Sequence, residues 1–206
     1  MGEGLELEAR EVGALPIVRA LLERLGWRTL LEKAFGPADL RLRLSHVDAA
    51  LLLVYNFTLS RHPLYGVPEW VGRFEAQALG LSPEELALIN DDRLGRTLDK
   101  LFELDLRSLT TQIVIAMTRH FGVELTRFHN DSTSITFSGA YRYAPTGPRG
   151  RRRIKITHGH NKDHRPDLKQ LLCILTVSAD GAVPVATIRR AVLRPPSRLS
   201  RCSVRG

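Results

Sequence analysis

The sequence is short of several things. It has two cysteines in 206 residues, Cys173 and Cys202, too few for a disulfide framework and ordinary for a reducing compartment. Its longest apolar run, Ala49 to Tyr55, has seven residues, where a membrane span needs roughly 20. The first eight residues, Met-Gly-Glu-Gly-Leu-Glu-Leu-Glu, are acidic and contain no apolar run, so they do not read as a secretory signal. There is no phosphate-cradling glycine loop and no Gly-x-Ser-x-Gly nucleophile elbow. Acids are scarce late in the chain: no Glu follows Glu124, and only Asp131, Asp163, Asp167 and Asp180 remain after residue 130. These absences exclude secreted, membrane and disulfide-scaffold classes and leave the expectation of a soluble cytoplasmic protein. The length suits one large domain or two small ones, enough to bury a core without a staple.

What is present is divided unevenly. The formal net charge is +8. Residues 1–130 hold 15 Lys+Arg and 18 Asp+Glu, whereas residues 131–206 hold 15 and 4. A short, strongly basic segment favours a polyanion, so nucleic acid is the first partner to consider.

The first part has helical periodicity. Leu15, Val18, Leu21, Leu22 and Leu25 share one face, and Gly26 can stop that helix. A short helix is expected from Trp27 to Phe35. Ser45 with Asp48 resembles a capping box and opens the apolar helix through Leu59, and Pro68 suits the start of another running to about Leu79. Ser82-Pro-Glu-Glu85 is a strong helix start, Asn90 or Asp91 can cap the next helix, and the last one ends at Gly122. About six helices are expected, with the leucines, Trp27 and Trp70 as core and His46 and His62 as structural residues. A helix-turn-helix fits such a unit, but a net negative charge and the lack of an Arg/Lys-rich helix argue against strong phosphate contacts there.

From Glu124 the period changes to that of strands. Alternation runs through Phe137, returns over Arg153–Thr157, and gives way to the continuous apolar run Leu171–Val177, which reads as a strand buried on both faces. Asp180-Gly181 signals a hairpin, with Val183–Ile188 as the return strand. The fold class is therefore α+β, with helices first and antiparallel strands after. Two readings of Asp131 stay open. On a buried strand it would need a cation, and Mg²⁺ suits a carboxylate; in an Asn-Asp-Ser-Thr turn it would face water. His158, His160, His164 and Cys173 match no standard zinc spacing. The cations Arg149, Arg151, Arg152, Arg153, Lys155, Lys162, Arg165 and Lys169, with His164, are the candidate DNA-contacting set.

Several segments together resemble bacterial insertion-sequence transposases of the DDE type, the branch with a helical domain ahead of an RNase H-like core. They are Ser45-His46, Arg61-His-Pro-Leu-Tyr65 with Glu69-Trp70, Asn90-Asp-Asp-Arg-Leu-Gly-Arg96, Asp131-Ser-Thr133, and Thr157-His-Gly-His-Asn-Lys-Asp-His-Arg-Pro-Asp-Leu-Lys-Gln170. The resemblance covers about residues 10–185. It implies Mg²⁺-dependent DNA cleavage and strand transfer, in which three acids on an RNase H-like sheet hold two metal ions. Asp131 matches the first acid, and so is the one implied catalytic residue and metal ligand. The implied partners are the DNA ends of the element, a further copy of the chain or a full-length transposase, and the implied setting is the bacterial cytoplasm or nucleoid.

The match then stops. In the family the third strand leads to an Asp-Gly-Asn turn with a second catalytic acid and, much later, a Glu. Here residues 187–206 contain six Arg and no acid, which reads either as a basic DNA-binding tail or as out-of-frame translation. The expected organisation is a helical domain over 1–122, a partial RNase H-like domain over 123–188 and a basic tail over 189–206. The expected function is that of a truncated transposase inactive alone; the alternative is a non-catalytic DNA-binding or transposition-regulating module.

Overall fold

A computed structural model describes residues 9–139, 141, 154–159, 165 and 167–191. The chain divides between Gly122 and Val123 into two compact units, the first helical and the second a sheet. Among the described residues no helix is long and apolar enough to cross a membrane.

Among the described residues seven α-helices build the first unit: α1 (Leu15–Arg24), α2 (Trp27–Phe35), α3 (His46–Leu59), α4 (Val67–Val71), α5 (Pro83–Leu86), α6 (Asp91–Glu103) and α7 (Leu106–Phe121). Their ends follow from local chemistry. Gly26 sits between α1 and α2 at φ 67°, a left-handed conformation that costs glycine little. The Ser45 side chain accepts from the Asp48 amide at 3.0 Å and opens α3. Ser82 and Glu85 form a full reciprocal capping box at α5. The Asn90 side chain accepts from the Arg93 amide at 2.8 Å and opens α6. Gly122, at φ 63°, closes α7.

The core of this unit is one apolar cluster in which Leu15, Leu52, Val67 and Leu94 are almost fully buried. Each such side chain contributes about 1.5–3 kcal/mol through removal from water. Trp70 packs edge-on against Phe74, with centroids 5.3 Å apart. One buried polar residue serves the turn after α3. Asn56 donates through Nδ2 to the His62 carbonyl at 2.8 Å and accepts from the His62 amide at 2.9 Å. That clamp holds Arg61 at φ 60°. His62 lies 6.1 Å from the Trp70 ring, a structural role as expected.

One helix differs from expectation. The segment from Pro68 to Leu79 is not continuous: α4 stops at Val71, and Ala76–Leu79 forms a separate 3₁₀ turn. Between them Phe74 makes a bridge to Glu11, and the Glu11 amide donates to the Arg73 carbonyl at 2.8 Å. The extended backbone this bridge requires cannot continue a helix.

The second unit contains β1 (Phe128–Phe137), β2 (Thr157–His158), β3 (Lys169–Ser178) and β4 (Pro184–Ala191). All pairings are antiparallel, and β3 is paired with each of the other three. The register sets Asp131 opposite Leu175 and Phe137 opposite Lys169. The β3–β4 turn is built on Ser178, whose hydroxyl bonds the Asp180 carbonyl and accepts from the Val183 amide. Gly181 takes φ 69° there.

Two strand expectations need correction. Over 154–157 the ladder begins only at Thr157, because its partner Gln170 is the last β3 residue paired to β2, and from Leu171 onward β3 pairs with β4 instead. β3 is also not buried on both faces. Its fully buried residues are the polar Gln170 and Ser178, while Leu175 is 40% exposed. The described part of this unit is a single layer of strands, which leaves both faces half open.

Candidate functional site

Asp131 lies within β1, not in a turn, and it is exposed. Each of the two open readings is met in part: the strand of the first is present, and the side chain is exposed as in the second. Phe128 to Asp131 are all exposed, so no burial cost demands a cation there. Its Oδ1 accepts from the Ser132 amide at 2.8 Å. Across the sheet its row continues to Leu175 and Thr187, neither of them a carboxylate.

The other acids of the described sheet are committed elsewhere. Asp180 accepts from the Glu124 amide at 2.9 Å. Asp167 forms a two-pronged pair with Arg165, at 2.8 and 2.7 Å. The pair lowers the Asp167 pKa and raises that of Arg165, in each case chiefly through this hydrogen bonding. Asp167 also belongs to the Phe137 end of β1. Six residues of strand separate that end from Asp131, roughly 20 Å, whereas two-metal centres hold their ions about 4 Å apart. Among the described residues no group of three or more His, Cys, Asp or Glu side chains could hold a metal ion. The donors described here do not fit a two-metal centre.

The candidate DNA-contacting residues fall into two sets. Arg149, Arg151, Arg152, Arg153, Lys162 and His164 lie outside the described residues. Lys155, Arg165 and Lys169 are described, and they gather where β2 meets the start of β3. Gln170 organises this corner: its Nε2 donates to the Gly159 and Arg165 carbonyls, both at 3.1 Å. Lys169 donates to the Tyr141 carbonyl at 2.8 Å. The register places these cations at the opposite end of β1 from His129 and Asn130, the residues just before Asp131.

Sequence reasoning missed a second basic region, in the helical unit. The loop before α3 and the exposed face of α6 form a cleft with two adjoining chambers. One, of about 330 Å³, is lined by Arg41, Arg43, Leu44, Leu88, Arg93 and Arg96 among others. The other, of about 280 Å³, shares Leu42, Arg93 and Arg96 and adds His46, Lys100 and the acids Asp99 and Glu103. Arg93 is half-buried at their junction. Its Nη2 donates to the Leu44 carbonyl at 2.5 Å and its Nη1 lies 3.2 Å from His46 Nδ1. The fully buried Thr97 hydroxyl is 3.1 Å from the same nitrogen and donates to the Arg93 carbonyl. Phe35 stacks on the His46 ring at 5.7 Å. Burial first, then Arg93 and Lys100, lowers the His46 pKa, with Asp39 opposing. A neutral imidazole accepting at Nδ1 suits the neighbouring guanidinium. The available signal was the spacing of Arg93, Arg96 and Lys100 along one helix, which a whole-unit charge of opposite sign obscured.

The chain is thus an α+β protein with a helical unit followed by an antiparallel four-stranded sheet. Residues 7–115 match the family described as "Domain of unknown function (DUF4277)", and the chain belongs to that family. The matched region contains the whole α6 cleft and ends before the sheet. No curated protein and no solved structure matches the chain.

Proposed function

We propose that the protein is a DNA-binding relative of DDE-type insertion-sequence transposases that does not carry out strand transfer by itself. The observation that carries this reading is the sheet: three antiparallel strands in the order β1, β3, β4, with Asp131 solvent-facing on the first. That is how the opening strands of an RNase H-like core would present their first acid. The basic corner of Lys155, Arg165 and Lys169, at the far end of β1 from Asp131, offers phosphate contacts on the same sheet. Magnesium, if bound, would take Asp131 as its carboxylate ligand, and one such ligand cannot clamp two ions on a phosphodiester.

Two measurements test this. Incubation of the purified chain with DNA bearing the element's ends, in Mg²⁺ or Mn²⁺, is expected to give no cleaved or joined products. Robust product formation abolished by Asp131→Asn refutes the non-catalytic reading. Duplex binding followed by anisotropy is expected to weaken steeply with salt and to fall when Arg151, Arg152 and Arg153 are changed to Gln. Binding insensitive to salt refutes the DNA assignment.

A further inference from the structure

We propose that the cleft between the pre-α3 loop and α6 is a second nucleic-acid site, one that grips the phosphodiester backbone of DNA. It goes beyond the sheet-based reading above, because it lies in the other unit and uses none of the same residues.

Three observations converge on it. The first is the unneutralised charge of Arg93. Its hydrogen bonds go to a carbonyl and to an imidazole, and among the described residues no carboxylate pairs with it. A half-buried guanidinium in that state is anchored, aimed and still short of an anion. The second is spacing. Arg93, Arg96 and Lys100 follow one another at i, i+3 and i+7 on α6, a span of about 10 Å at 1.5 Å per residue. About four successive phosphates of one DNA strand, three steps at about 3.4 Å each, rise through a comparable distance. Arg41 and Arg43 supply cations from the opposite wall. The third is exchangeability. Arg96 pairs with Asp92 at 3.5 Å, Lys100 with Glu103 at 3.2 Å, and Arg41 with Asp39 at 2.8 Å. The Arg96–Asp92 pair is strongly exposed, and such pairs contribute little, so a phosphate can displace that carboxylate; the Lys100–Glu103 pair is half-sheltered, and Arg41 is held by Asp39 through two prongs.

The apolar floor of Leu42, Leu44 and Leu88 fits the sugar side of a backbone and offers no base-reading donors. Recognition there should be independent of sequence. Arg93, held by Leu44 and His46, would position the strand, while Arg96, Lys100, Arg41 and Arg43 supply the counter-charge.

The test uses the full chain with Arg151, Arg152 and Arg153 changed to Gln, so that the other basic region is muted in every sample. Binding of a fluorescein-labelled 20-base-pair duplex of arbitrary sequence is followed by anisotropy across a salt series. Adding Arg96→Gln and Lys100→Gln is expected to weaken binding about tenfold and to flatten the slope of log K against log salt by about 2. Arg41→Gln with Arg43→Gln should act in the same direction. Tryptophan-monitored melting keeps this interpretable, since these exposed changes should leave the melting curve in place. Unchanged affinity and slope overturn the proposal. Equal displacement of the duplex by polyglutamate of matched charge overturns it in favour of an acidic polypeptide. Displacement by millimolar inorganic phosphate, but not by chloride at the same ionic strength, overturns it in favour of a free-phosphate site. Tighter binding by the unchanged chain than by the Arg151–Arg153 variant, with the Arg96/Lys100 effect still present in that variant, supports two separate contact regions and keeps a failure of this proposal distinct from a failure of the sheet-based one.

Discussion

Leu94→Ala tests the packing on which the α6 cleft depends. Leu94 is completely buried in the core shared by α3 and α6. The substitution removes three carbons, a transfer loss of about 2.4 kcal/mol at 0.8 per methylene. The cavity left behind adds to this, so the expected cost is about 3–5 kcal/mol. In a unit of about a hundred residues each kcal/mol lowers the melting midpoint by about 4 °C or more, so a drop of at least about 12 °C is expected. Both tryptophans of the chain, Trp27 and Trp70, lie in the helical unit, so fluorescence melting reads that unit without interference from the sheet. Ile17→Ala is the control. Ile17 is 74% exposed, and its loss should cost under about 0.5 kcal/mol. A Leu94→Ala shift no larger than that of the control would refute the docking of α6 described here, and with it the placement of Arg93 over the cleft.

Two further outcomes follow from the buried polar groups of the same unit. Asn56→Ala leaves both the amide and the carbonyl of His62 without their side-chain partner, and should cost about 2–3 kcal/mol in urea unfolding; a cost below about 0.5 kcal/mol refutes the clamp. His46 is held below its ordinary pKa by burial and by Arg93 and Lys100. The unfolded chain therefore binds the proton more readily, so stability is complete above the unfolded value of 6.5 and declines as pH falls through 6.5 towards the lower folded value. Denaturant unfolding at pH 7.5 and 5.5 should show this decline, and His46→Gln should remove its share; an identical pH dependence in the variant refutes the assignment.

Much of the helical unit was legible because its boundaries are set by local chemistry. Ser45, Ser82, Asn90 and Gly122 each act within four residues of a helix end, so a linear reading finds them. The break between Val71 and Ala76 was not legible, since it depends on a bridge to Glu11, sixty residues earlier in the chain. The Asp180-Gly181 hairpin was readable for the same local reason as the caps. The exposure of Asp131 was not. A strand's alternation says which residues share a face, but burial depends on what is laid over that face, and no periodicity encodes that. The α6 cleft was hidden in a different way. Arg41 and Arg43 are about fifty residues from Arg93 and Arg96, and only the packing of α3 against α6 makes them one surface.

That last point bears on how charge should be read. The negative balance of residues 1–130 argued against phosphate contacts in the helical unit. Net charge governs long-range steering, but at physiological salt the Debye length is about 8 Å. A phosphate seated against Arg93 and Arg96 feels the groups lining the cleft and their direct partners far more than acids elsewhere in the unit. Those lining groups are Arg41, Arg43, Arg93, Arg96 and Lys100 against Asp92, Asp99 and Glu103, with Asp39 bound to Arg41 and Glu84 near Arg43, so the cleft is close to balanced overall and its uncompensated positive charge sits at Arg93. The acidic remainder of the unit then slows approach without preventing contact. Residues 131–206 hold 15 cations against 4 acids, so the chain's long-range attraction for a polyanion resides there.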